Sequence, residues 1–393
     1  MLDVRGDFLA LEQDPTLVYL DSAATSLKPR AVVERVAWAL GEGAAPVYRG
    51  VYARAAAATE AFEAARASVA GWFGVAADQV VFTRGATDGV NLVRRGWKGL
   101  RSVVTTDAEH HSNLLPWRDG LEVRTIPLSD DGCLSPGALE AELAARPADL
   151  VAVSHVGNVL GAINPVAEIS RVAHERGAAL LVDAAQSASH LAVALGSLGA
   201  DYLVCSAHKM LGPTGVGALV ATPEALDRLA PVSWGGSMVE SVTADGSQLQ
   251  PAPRRWEAGT PAVEAALGWG AAIEYLEGLG ASRVADHFDQ VTAAAVERLR
   301  DIEGVRVLGP RDPSLRSAIV AMEVDGWESH ALARAIGQRD NICIRSGFHC
   351  AQPLHQAMGL GPTLRASFHV YTSADDLDRF ADALRRVTSV RFG

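Results

Sequence analysis

The sequence predicts an α/β protein with a large, mainly parallel sheet, followed by a smaller α+β domain. Between residues 60 and 220, short apolar segments alternate with segments of helical periodicity, which is typical of strands covered on both faces by helices. After residue 260 the order becomes helix, strand, strand, helix, strand, helix, strand and helix, which indicates a second, partly antiparallel sheet. A chain of 393 residues is long enough for two such domains.

The first well-defined element is an amphipathic helix that we expect to end at Gly74. Its apolar residues recur at intervals of three and four, at Phe62, Ala65, Val69 and Trp72. Short apolar runs then predict strands at 80–82, 102–104, 123–127, 150–153, 180–182 and 202–204. Two of the intervening helices have clear starts, because Ser135-Pro136 and Asn164-Pro165 each place a capping residue before a proline.

The second half of the pattern begins with a long alanine-rich helix from about Pro261. The later strands are predicted at 305–308, 318–324, 342–345 and 364–370, and the later helices at 329–337, 354–358 and from 375 onward. The segment just before this helix is rich in Pro, Arg and Gly, so we expect the domain boundary there.

The composition excludes several classes of partner. Asp and Glu number 46 against 35 Lys and Arg, for a net charge of −11, and basic residues form no long run, so neither nucleic acid nor a membrane surface is expected. No apolar stretch approaches the ~20 residues that cross a bilayer, and the N-terminus lacks the features of a secretory signal. We expect a cytoplasmic protein. Four cysteines are too few for a disulfide framework and fit no zinc spacing, so no metal is expected.

The sharpest local signal is a lysine in a glycine-bounded turn after a buried strand. Lys209 ends the segment Ser206-x-His208-Lys209, where it can be desolvated and form an imine with a carbonyl cofactor. A surface lysine in a glycine loop is the alternative. Asp183 follows the strand at 180–182 and suits the protonated ring nitrogen of pyridoxal phosphate (PLP), although an aspartate that caps the next helix gives the same pattern.

A phosphate site is predicted where the strand at 80–82 passes through Gly85 into a helix. Free backbone N–H groups and the positive end of the helix dipole favour an anion there, and the Thr87 hydroxyl adds a donor. The segment from Gly212 to Gly217 is also rich in glycine, but it leads into a strand, so a Rossmann interpretation fails.

Two further clusters carry reactive side chains. For His110 and His111, stacking on an aromatic cofactor is favoured over metal binding, because no second ligand cluster has suitable spacing; a histidine satisfied by its neighbours is the alternative. Cys350 follows His349 on a Gly/Pro loop and can be an exposed nucleophile, whereas an inert loop cysteine is the simpler interpretation. The cysteines interpreted as structural or incidental are Cys133, Cys205 and Cys343.

Together these motifs resemble the class V aminotransferase family of fold-type I PLP enzymes, and specifically its SufS-type cysteine desulfurases. They are Glu109-His110-His111, His155-x-x-Asn158-x-x-Gly161, Asp183-x-x-Gln186, Ser206-x-His208-Lys209, Glu257-Ala-Gly-Thr260-Pro and Arg345-x-Gly-x-His349-Cys350-Ala-Gln-Pro. The match runs in order from about Leu20 to the C-terminus. It implies a seven-stranded large domain at 21–260, a small domain at 261–393 that carries the cysteine loop, and an N-terminal segment, 1–20, packed on the small domain.

The resemblance also implies roles for individual residues. The implied catalytic residues are Cys350, Lys209 and His110. The implied cofactor-binding residues are Lys209 as the imine, Asp183 at the ring nitrogen, Gln186 at the ring oxygen, His110 on the ring face, Ala86, Thr87, Ser206 and His208 at the phosphate, and Thr260 reaching the phosphate from the other subunit of a homodimer. The implied substrate-binding residues are Asn158, Arg345 and Arg365.

The implied activity converts L-cysteine into L-alanine and passes the sulfur, as a Cys350 persulfide, to an acceptor protein of the SufE or SufU kind for iron–sulfur cluster assembly. Selenocysteine lyase and cysteine-sulfinate desulfinase share the scaffold and stay open. A class V aminotransferase, in which Cys350 is incidental, is more remote. A non-catalytic scaffold is disfavoured because it has no use for both Lys209 and Asp183.

Three positions depart from the pattern of the SufS-type enzymes. Phe348 replaces the first histidine of the usual Gly-His-His-Cys segment, and Tyr52 stands where an active-site histidine is common. Ala86 stands where threonine is frequent. The first two changes affect the groups expected to transfer protons near the thiol.

Overall fold

A computed structural model describes residues 1–129 and 131–389, so residues 390–393 of the predicted small domain lie outside the described part. The helices are α1 Leu9–Gln13, α2 Arg30–Leu40, α3 Ala53–Phe73, α4 Ala86–Gly96, α5 Leu115–Arg118, α6 Pro136–Ala145, α7 Val166–Glu175, α8 Leu195–Leu198, α9 Pro223–Asp227, α10 Val263–Leu279, α11 Ala281–Arg300, α12 Ser329–Asp340, α13 Gln352–Ala357 and α14 Ala374–Ser389. Among these described helices, none combines the length and apolarity needed to cross a membrane.

The strands follow the predicted positions closely. They are β1 Val18–Tyr19, β2 Val80–Thr83, β3 Ser102–Thr106, β4 Glu122–Ile126, β5 Leu150–Ser154, β6 Ala179–Asp183, β7 Tyr202–Ser206, β8 Gly217–Ala221, β9 Val239–Thr243, β10 Gly246–Leu249, β11 Val305–Val307, β12 Ile319–Val324, β13 Ile342–Cys343, β14 Arg345–Gly347 and β15 Thr363–Ser367. The single strand predicted at 342–345 is therefore wrong in detail, because β13 and β14 join different sheets.

Seven strands form the large sheet, in the order β2-β8-β7-β6-β5-β3-β4. Strand β8 is antiparallel to both of its neighbours, and all other pairs are parallel. The predicted mainly parallel, seven-stranded sheet is confirmed. Because parallel strands point the same way, β5, β6 and β7 bring Ser154, Asp183 and Ser206 to one edge of the sheet.

Both faces of this sheet are covered. Alternate residues of β6 enter different cores: Leu180 and Val182 belong to the core that includes α3 and α10, whereas Leu181 belongs to the core that includes α4. Every residue of β5, β6 and β7 is buried. Polar side chains therefore collect beyond the strand ends, where the backbone leaves the core.

The second sheet is antiparallel, in the order β11-β12-β15-β14. It packs with α11 and α14 in a separate core, and β1 pairs with β13 beside it. Helix α10 lies inside the predicted small domain but packs against α2 and α3. The division into residues 1–20, 21–260 and 261–393 stays a prediction.

Of the three helix ends predicted from capping residues, two are confirmed and one is wrong. Helix α3 ends before Gly74, whose φ of 66° is left-handed, and Ser135 caps α6 through its side chain. Asn164 does not cap α7. Its side chain instead accepts the Leu134 N–H at 2.7 Å and donates to the Ser154 carbonyl at 2.7 Å, so it joins two loops at the end of β5.

A buried ion pair connects α3 with the edge strand β2. The Arg66 guanidinium donates to both carboxylate oxygens of Glu257, at 2.6 and 2.9 Å, and to the Val80 carbonyl at 2.9 Å. Glu257 also accepts the Phe82 N–H at 2.7 Å. These bonds fix the loop that precedes Thr260.

We expect Arg66→Leu to lower the free energy of unfolding by about 3–5 kcal/mol, because it leaves the Glu257 carboxylate buried without its partner. Denaturant unfolding monitored by tryptophan fluorescence measures the change. Arg171→Leu is the matched control: Arg171 pairs with Glu175 on the exposed surface of α7, so its loss should cost less than about 1 kcal/mol. Equal losses in the two variants would contradict the structural role of the buried pair.

Candidate active site

A cavity of about 240 Å³ opens where the carboxyl edge of the large sheet meets the second sheet. All predicted site residues except Thr260 line it. These are Ala86, Thr87, His110, Asn158, Asp183, Gln186, Ser206, His208, Lys209, Arg345, Cys350 and Arg365. The cavity therefore brings together residues from chain segments that are more than 200 positions apart.

Lys209 lies in a single turn, Ala207–Lys209, directly after β7. Its carbonyl accepts hydrogen bonds from Ser189 Oγ and His369 Nε2, both at 3.2 Å, which fixes the backbone under the amine. Burial lowers the pKa of the Lys209 amine to about 8, although the nearby Asp183 charge opposes the shift. A larger neutral fraction at physiological pH makes this amine a better nucleophile than an ordinary lysine.

Asp183 and Gln186 follow β6 and face the same cavity. Burial raises the pKa of Asp183, while the Ala185 N–H, which donates to Oδ1 at 2.9 Å, and the Lys209 charge act in the opposite direction. Gln186 donates through Nε2 to the Ala23 carbonyl at 3.0 Å. This bond connects the end of β6 with the N-terminal segment.

His110 presents a neutral imidazole to the cavity. The Ser112 N–H donates to Nδ1 at 3.1 Å, so the ring proton is on Nε2. Burial lowers the pKa of His110 to about 3, and the Lys209 charge adds to this shift. A neutral, flat ring of this kind suits stacking against an aromatic group.

The N-terminus of α4 forms the other end of the cavity. The Ala86 N–H donates to Ser206 Oγ at 2.8 Å, and the Thr87 and Ser112 hydroxyls are 2.7 Å apart. Gly85 has a φ of 150°, and a Cβ there would lie 3.1 Å from Ser206 Oγ. Two hydroxyls and a helix N-terminus make this end suitable for an anion.

The loop after β14 presents an exposed cysteine to the cavity. His349 and Cys350 are consecutive non-glycine residues with left-handed φ values of 50° and 57°, which costs about 1–3 kcal/mol at each position unless the surroundings hold it. Asn158 Nδ2 donates to the His349 carbonyl at 2.6 Å, and the His111 N–H donates to the Cys350 carbonyl at 2.8 Å. The segments that follow β3 and β5 thus fix the cysteine loop through two hydrogen bonds.

Two arginines from the second sheet complete the cavity. Arg365 donates through Nη1 to the Asn158 carbonyl at 2.9 Å, and its Nη2 lies 3.4 Å from Asp21 Oδ1. Arg345 Nη1 lies 3.9 Å from Asp21 Oδ2. Burial lowers the pKa of Arg365 to about 10, which leaves the guanidinium protonated at neutral pH. This group can therefore bind a carboxylate.

Several residues lie elsewhere or differ from the sequence pattern. Thr260 is exposed and lines a second cavity with Phe82 and Glu257. Tyr52 and Phe348 are both exposed, and the Phe348 ring packs edge-on against His355 with centroids 5.3 Å apart. The remaining cysteines, Cys133, Cys205 and Cys343, do not line the active cavity.

Sequence reasoning missed some of the groups that build the site. Ser112 and His349 line the cavity. His349 is part of a motif already noted, and Ser112 directly follows another, so their position near His110 and Cys350 could have indicated them. Asp21 contacts both arginines, yet no spacing in the sequence connects it with residues more than 300 positions away.

A buried carboxylic acid supports the histidine loop from below. Glu109 accepts hydrogen bonds from Thr106 Oγ1 at 3.0 Å and from Asn113 Nδ2 at 2.7 Å. Burial raises the pKa of Glu109 to about 7, although these bonds oppose the shift. The loop that carries His110 is therefore anchored by a group that changes its charge near neutral pH.

Residues 18–380 match the aminotransferase class-V family. The chain is 39% identical over 402 residues to probable cysteine desulfurase 2 of Mycobacterium leprae, across 98% of this chain and 95% of that protein. The apo structure of a cysteine desulfurase from Thermococcus onnurineus superimposes with a TM-score of 0.93 at 37% identity, covering 98% of this chain and 97% of the other. The Escherichia coli cysteine desulfurase CsdA gives a TM-score of 0.89 at 33% identity, with 98% and 97% coverage.

With this fold and this match along almost its whole length, the chain belongs to the class V aminotransferase family. The proteins that it resembles include the cysteine desulfurases of Thermococcus onnurineus and Escherichia coli and the probable one of Mycobacterium leprae, each matched over nearly the full chain. The predicted family is confirmed.

We expect Glu109→Gln to change the pH dependence of stability. The folded state keeps the Glu109 proton up to a pKa of about 7, against 4.5 ordinarily. The stability from this proton is therefore complete below about pH 4.5 and is lost as the pH rises through 7. Relative to the variant, the wild-type free energy of unfolding should fall by about 3 kcal/mol across this range.

Denaturant unfolding at several pH values between about 4.5 and 7.5 measures this difference. Glu175→Gln is the control, since Glu175 is exposed on α7, and its difference from wild type should stay flat. A flat difference for Glu109→Gln as well would show that Glu109 does not titrate as its burial requires.

Proposed function

We propose that the protein is a PLP-dependent, SufS-type cysteine desulfurase that converts L-cysteine into L-alanine. One observation carries this proposal: a single cavity contains an amine of lowered pKa, a buried carboxylate, an anion-binding helix end and an exposed thiol. The amine is Lys209, the carboxylate is Asp183 and the thiol belongs to Cys350. An aminotransferase needs no such thiol.

The donor set of the cavity fits pyridoxal phosphate. The hydroxyls of Thr87 and Ser206, the α4 N-terminus and His208 suit the phosphate; Asp183 suits the protonated ring nitrogen. Gln186 and the neutral His110 ring suit the ring oxygen and the ring face, and Lys209 provides the amine that holds the cofactor covalently. The bound cofactor supplies an electron-accepting ring that stabilises negative charge on the substrate.

The residues at the other end of the cavity suit an amino-acid substrate. Arg365 and Arg345 provide guanidinium groups for the α-carboxylate, and Asn158 lies between Arg365 and the cysteine loop. Lys209 Nζ is placed to move the α-proton. Cys350 Sγ, as the thiolate, attacks the substrate sulfur, so an S–S bond forms as the C–S bond breaks and protonation of the substrate carbon gives alanine.

The finer parts of the proposal concern assembly and destination. Thr260 is exposed and does not line the active cavity of its own chain, which supports a homodimer in which it reaches the partner's phosphate site. The exposed Cys350 persulfide passes sulfur to an acceptor protein of the SufE or SufU kind, in the cytoplasm, for iron–sulfur cluster assembly. A large domain at 21–260 and a small domain at 261–393 would carry these two ends of the site.

Lys209→Ala should lose the visible absorption band of the bound cofactor and all measurable sulfide production, because the covalent attachment needs this amine. Absorption spectra of the purified, PLP-loaded proteins measure the band. Asp183→Ala should retain cofactor and lose most of the activity, since a ring without its protonated nitrogen accepts electrons poorly. An unchanged band in Lys209→Ala would refute the assignment.

Cys350→Ala should bind cofactor and L-cysteine but produce sulfide at least about a thousandfold more slowly, a loss of about 4 kcal/mol of transition-state stabilisation. The variant should keep a substantial part of any selenocysteine lyase activity, because the more acidic selenol leaves with less help from a nucleophile. Sulfide, selenide and alanine are assayed together in the presence of a dithiol reductant, which releases sulfide from the Cys350 persulfide.

The control variant is Cys133→Ala, which removes a cysteine away from the active cavity and should leave both activities within about twofold of wild type. Equal losses on the two substrates in Cys350→Ala would indicate damage to the fold or the cofactor site. Full activity of Cys350→Ala on both would show that Cys350 is not the nucleophile, and a keto acid product in place of sulfide and alanine would favour an aminotransferase.

A further inference from the structure

Two positive charges lie directly opposite each other on neighbouring strands of the second sheet. Arg345 on β14 and Arg365 on β15 are register partners in an antiparallel pair, and both line the active cavity. Like charges directly opposite each other on a sheet repel and destabilise the pair. Arg365 is almost fully buried, whereas Arg345 is exposed, so water screens only part of this repulsion.

The counter-charge comes from a third part of the chain. Asp21 follows β1 and forms a β-bridge with Ser367 at the end of β15, which brings its carboxylate to both arginines. Oδ1 lies 3.4 Å from Arg365 Nη2, and Oδ2 lies 3.9 Å from Arg345 Nη1. Each oxygen of Asp21 is therefore closest to a different guanidinium.

These contacts are too long to satisfy the hydrogen-bond donors of the two arginines. A direct charge-assisted hydrogen bond between a guanidinium and a carboxylate measures about 2.7–2.9 Å. A guanidinium has five N–H donors, and Arg365 uses Nη1 for the Asn158 carbonyl, uses Nη2 for the long contact with Asp21, and leaves Nε without a partner. Arg365 thus has hydrogen-bond donors that no protein group satisfies.

The charge balance at this end of the cavity favours one further anion. Two guanidinium charges and one carboxylate charge leave a single net positive charge. Deeper in the cavity, Lys209 and Asp183 interact as a base and an acid. The pair has no net charge whether its proton is on the amine or on the carboxylate, so it does not change that balance. The burial of His110 and His349 lowers the pKa of each ring and keeps both uncharged.

We propose that Asp21 is the internal counter-ion of this arginine pair, and that it competes with the carboxylate of the bound amino acid for the same guanidinium groups. Asp21 does not line the cavity, so it is a positioning residue that acts through Arg345 and Arg365. Without substrate, Asp21 offsets the repulsion between the two arginines. With substrate, its competition for the guanidinium groups lowers the affinity for the amino acid. The inference rests on the proposed function, in which these arginines bind the α-carboxylate.

The proposal predicts opposite effects for two substitutions at one position. Asp21→Asn removes the competing charge and should lower KM for L-cysteine about tenfold, with kcat changed less than about threefold. Asp21→Glu keeps the charge on a longer side chain that reaches the guanidinium directly, and it should raise KM about fivefold or more. General damage to the site cannot change KM in both directions.

A second experiment measures binding of the amino-acid carboxylate without catalysis, using the product L-alanine as the ligand. The shift in melting temperature of the PLP-loaded protein on addition of L-alanine should be larger for Asp21→Asn than for wild type and smaller for Asp21→Glu. Asp382→Asn is the matched control: it also removes one negative charge, but Asp382 is an exposed partner of Arg385 on α14. Its KM and its alanine shift should equal those of wild type within about twofold.

The outcomes separate this inference from the proposed function. If wild type makes no sulfide from L-cysteine, the desulfurase proposal fails, while the alanine shifts still test the role of Asp21. A KM that rises in both Asp21 variants, or alanine shifts that are equal or absent in all proteins, would overturn the counter-ion exchange. Should Asp21→Asn not fold, a raised KM with retained kcat in Asp21→Glu supports the proposal, and an unchanged KM overturns it.

Discussion

The structure depends on the burial of the large sheet on both faces. Because β5, β6 and β7 have no exposed residue, their polar groups can only lie where the strands end. Ser154, Asp183 and Ser206 are the last residues of these three strands. Their common direction places all of them at one edge, which becomes the floor of the cavity.

The second sheet makes that edge an enclosed site. It supplies Arg345 and Arg365 from neighbouring strands and Cys350 from the following loop. Hydrogen bonds from Asn158 and from the His111 N–H hold this loop against the large sheet. The position of the thiol relative to Lys209 is therefore set by contacts between the two sheets and not by either one alone.

One physical effect, desolvation, explains most of the shifted pKa values in and beside the cavity. Burial lowers the pKa of Lys209 and His110 and raises the pKa of Asp183 and Glu109. Each shift favours the neutral form. The Arg365 guanidinium stays protonated although it is buried, so it and the neighbouring Arg345 define where an anionic group binds.

The sequence by itself determined the large sheet, most element positions, the family and twelve of the nineteen residues that line the cavity. These features are local: a strand or a turn such as Ser206-x-His208-Lys209 is specified by neighbouring residues and by the period of its apolar positions. Even the end of α3 at Gly74 follows from one residue that adopts a left-handed φ without strain.

Only the tertiary structure decided the features that depend on distant pairs. Asn164 looks like a helix cap, but it bonds to Leu134 and Ser154 because those loops pack beside it. Thr260 lies outside the cavity of its own chain. Asp21 contacts Arg365, which is 344 positions away in the sequence, and no local pattern predicts a contact between residues so far apart in the chain. Its place was set by the pairing of β1 with β13 and by the bridge to Ser367, since hydrogen bonds between strands fix where each side chain ends.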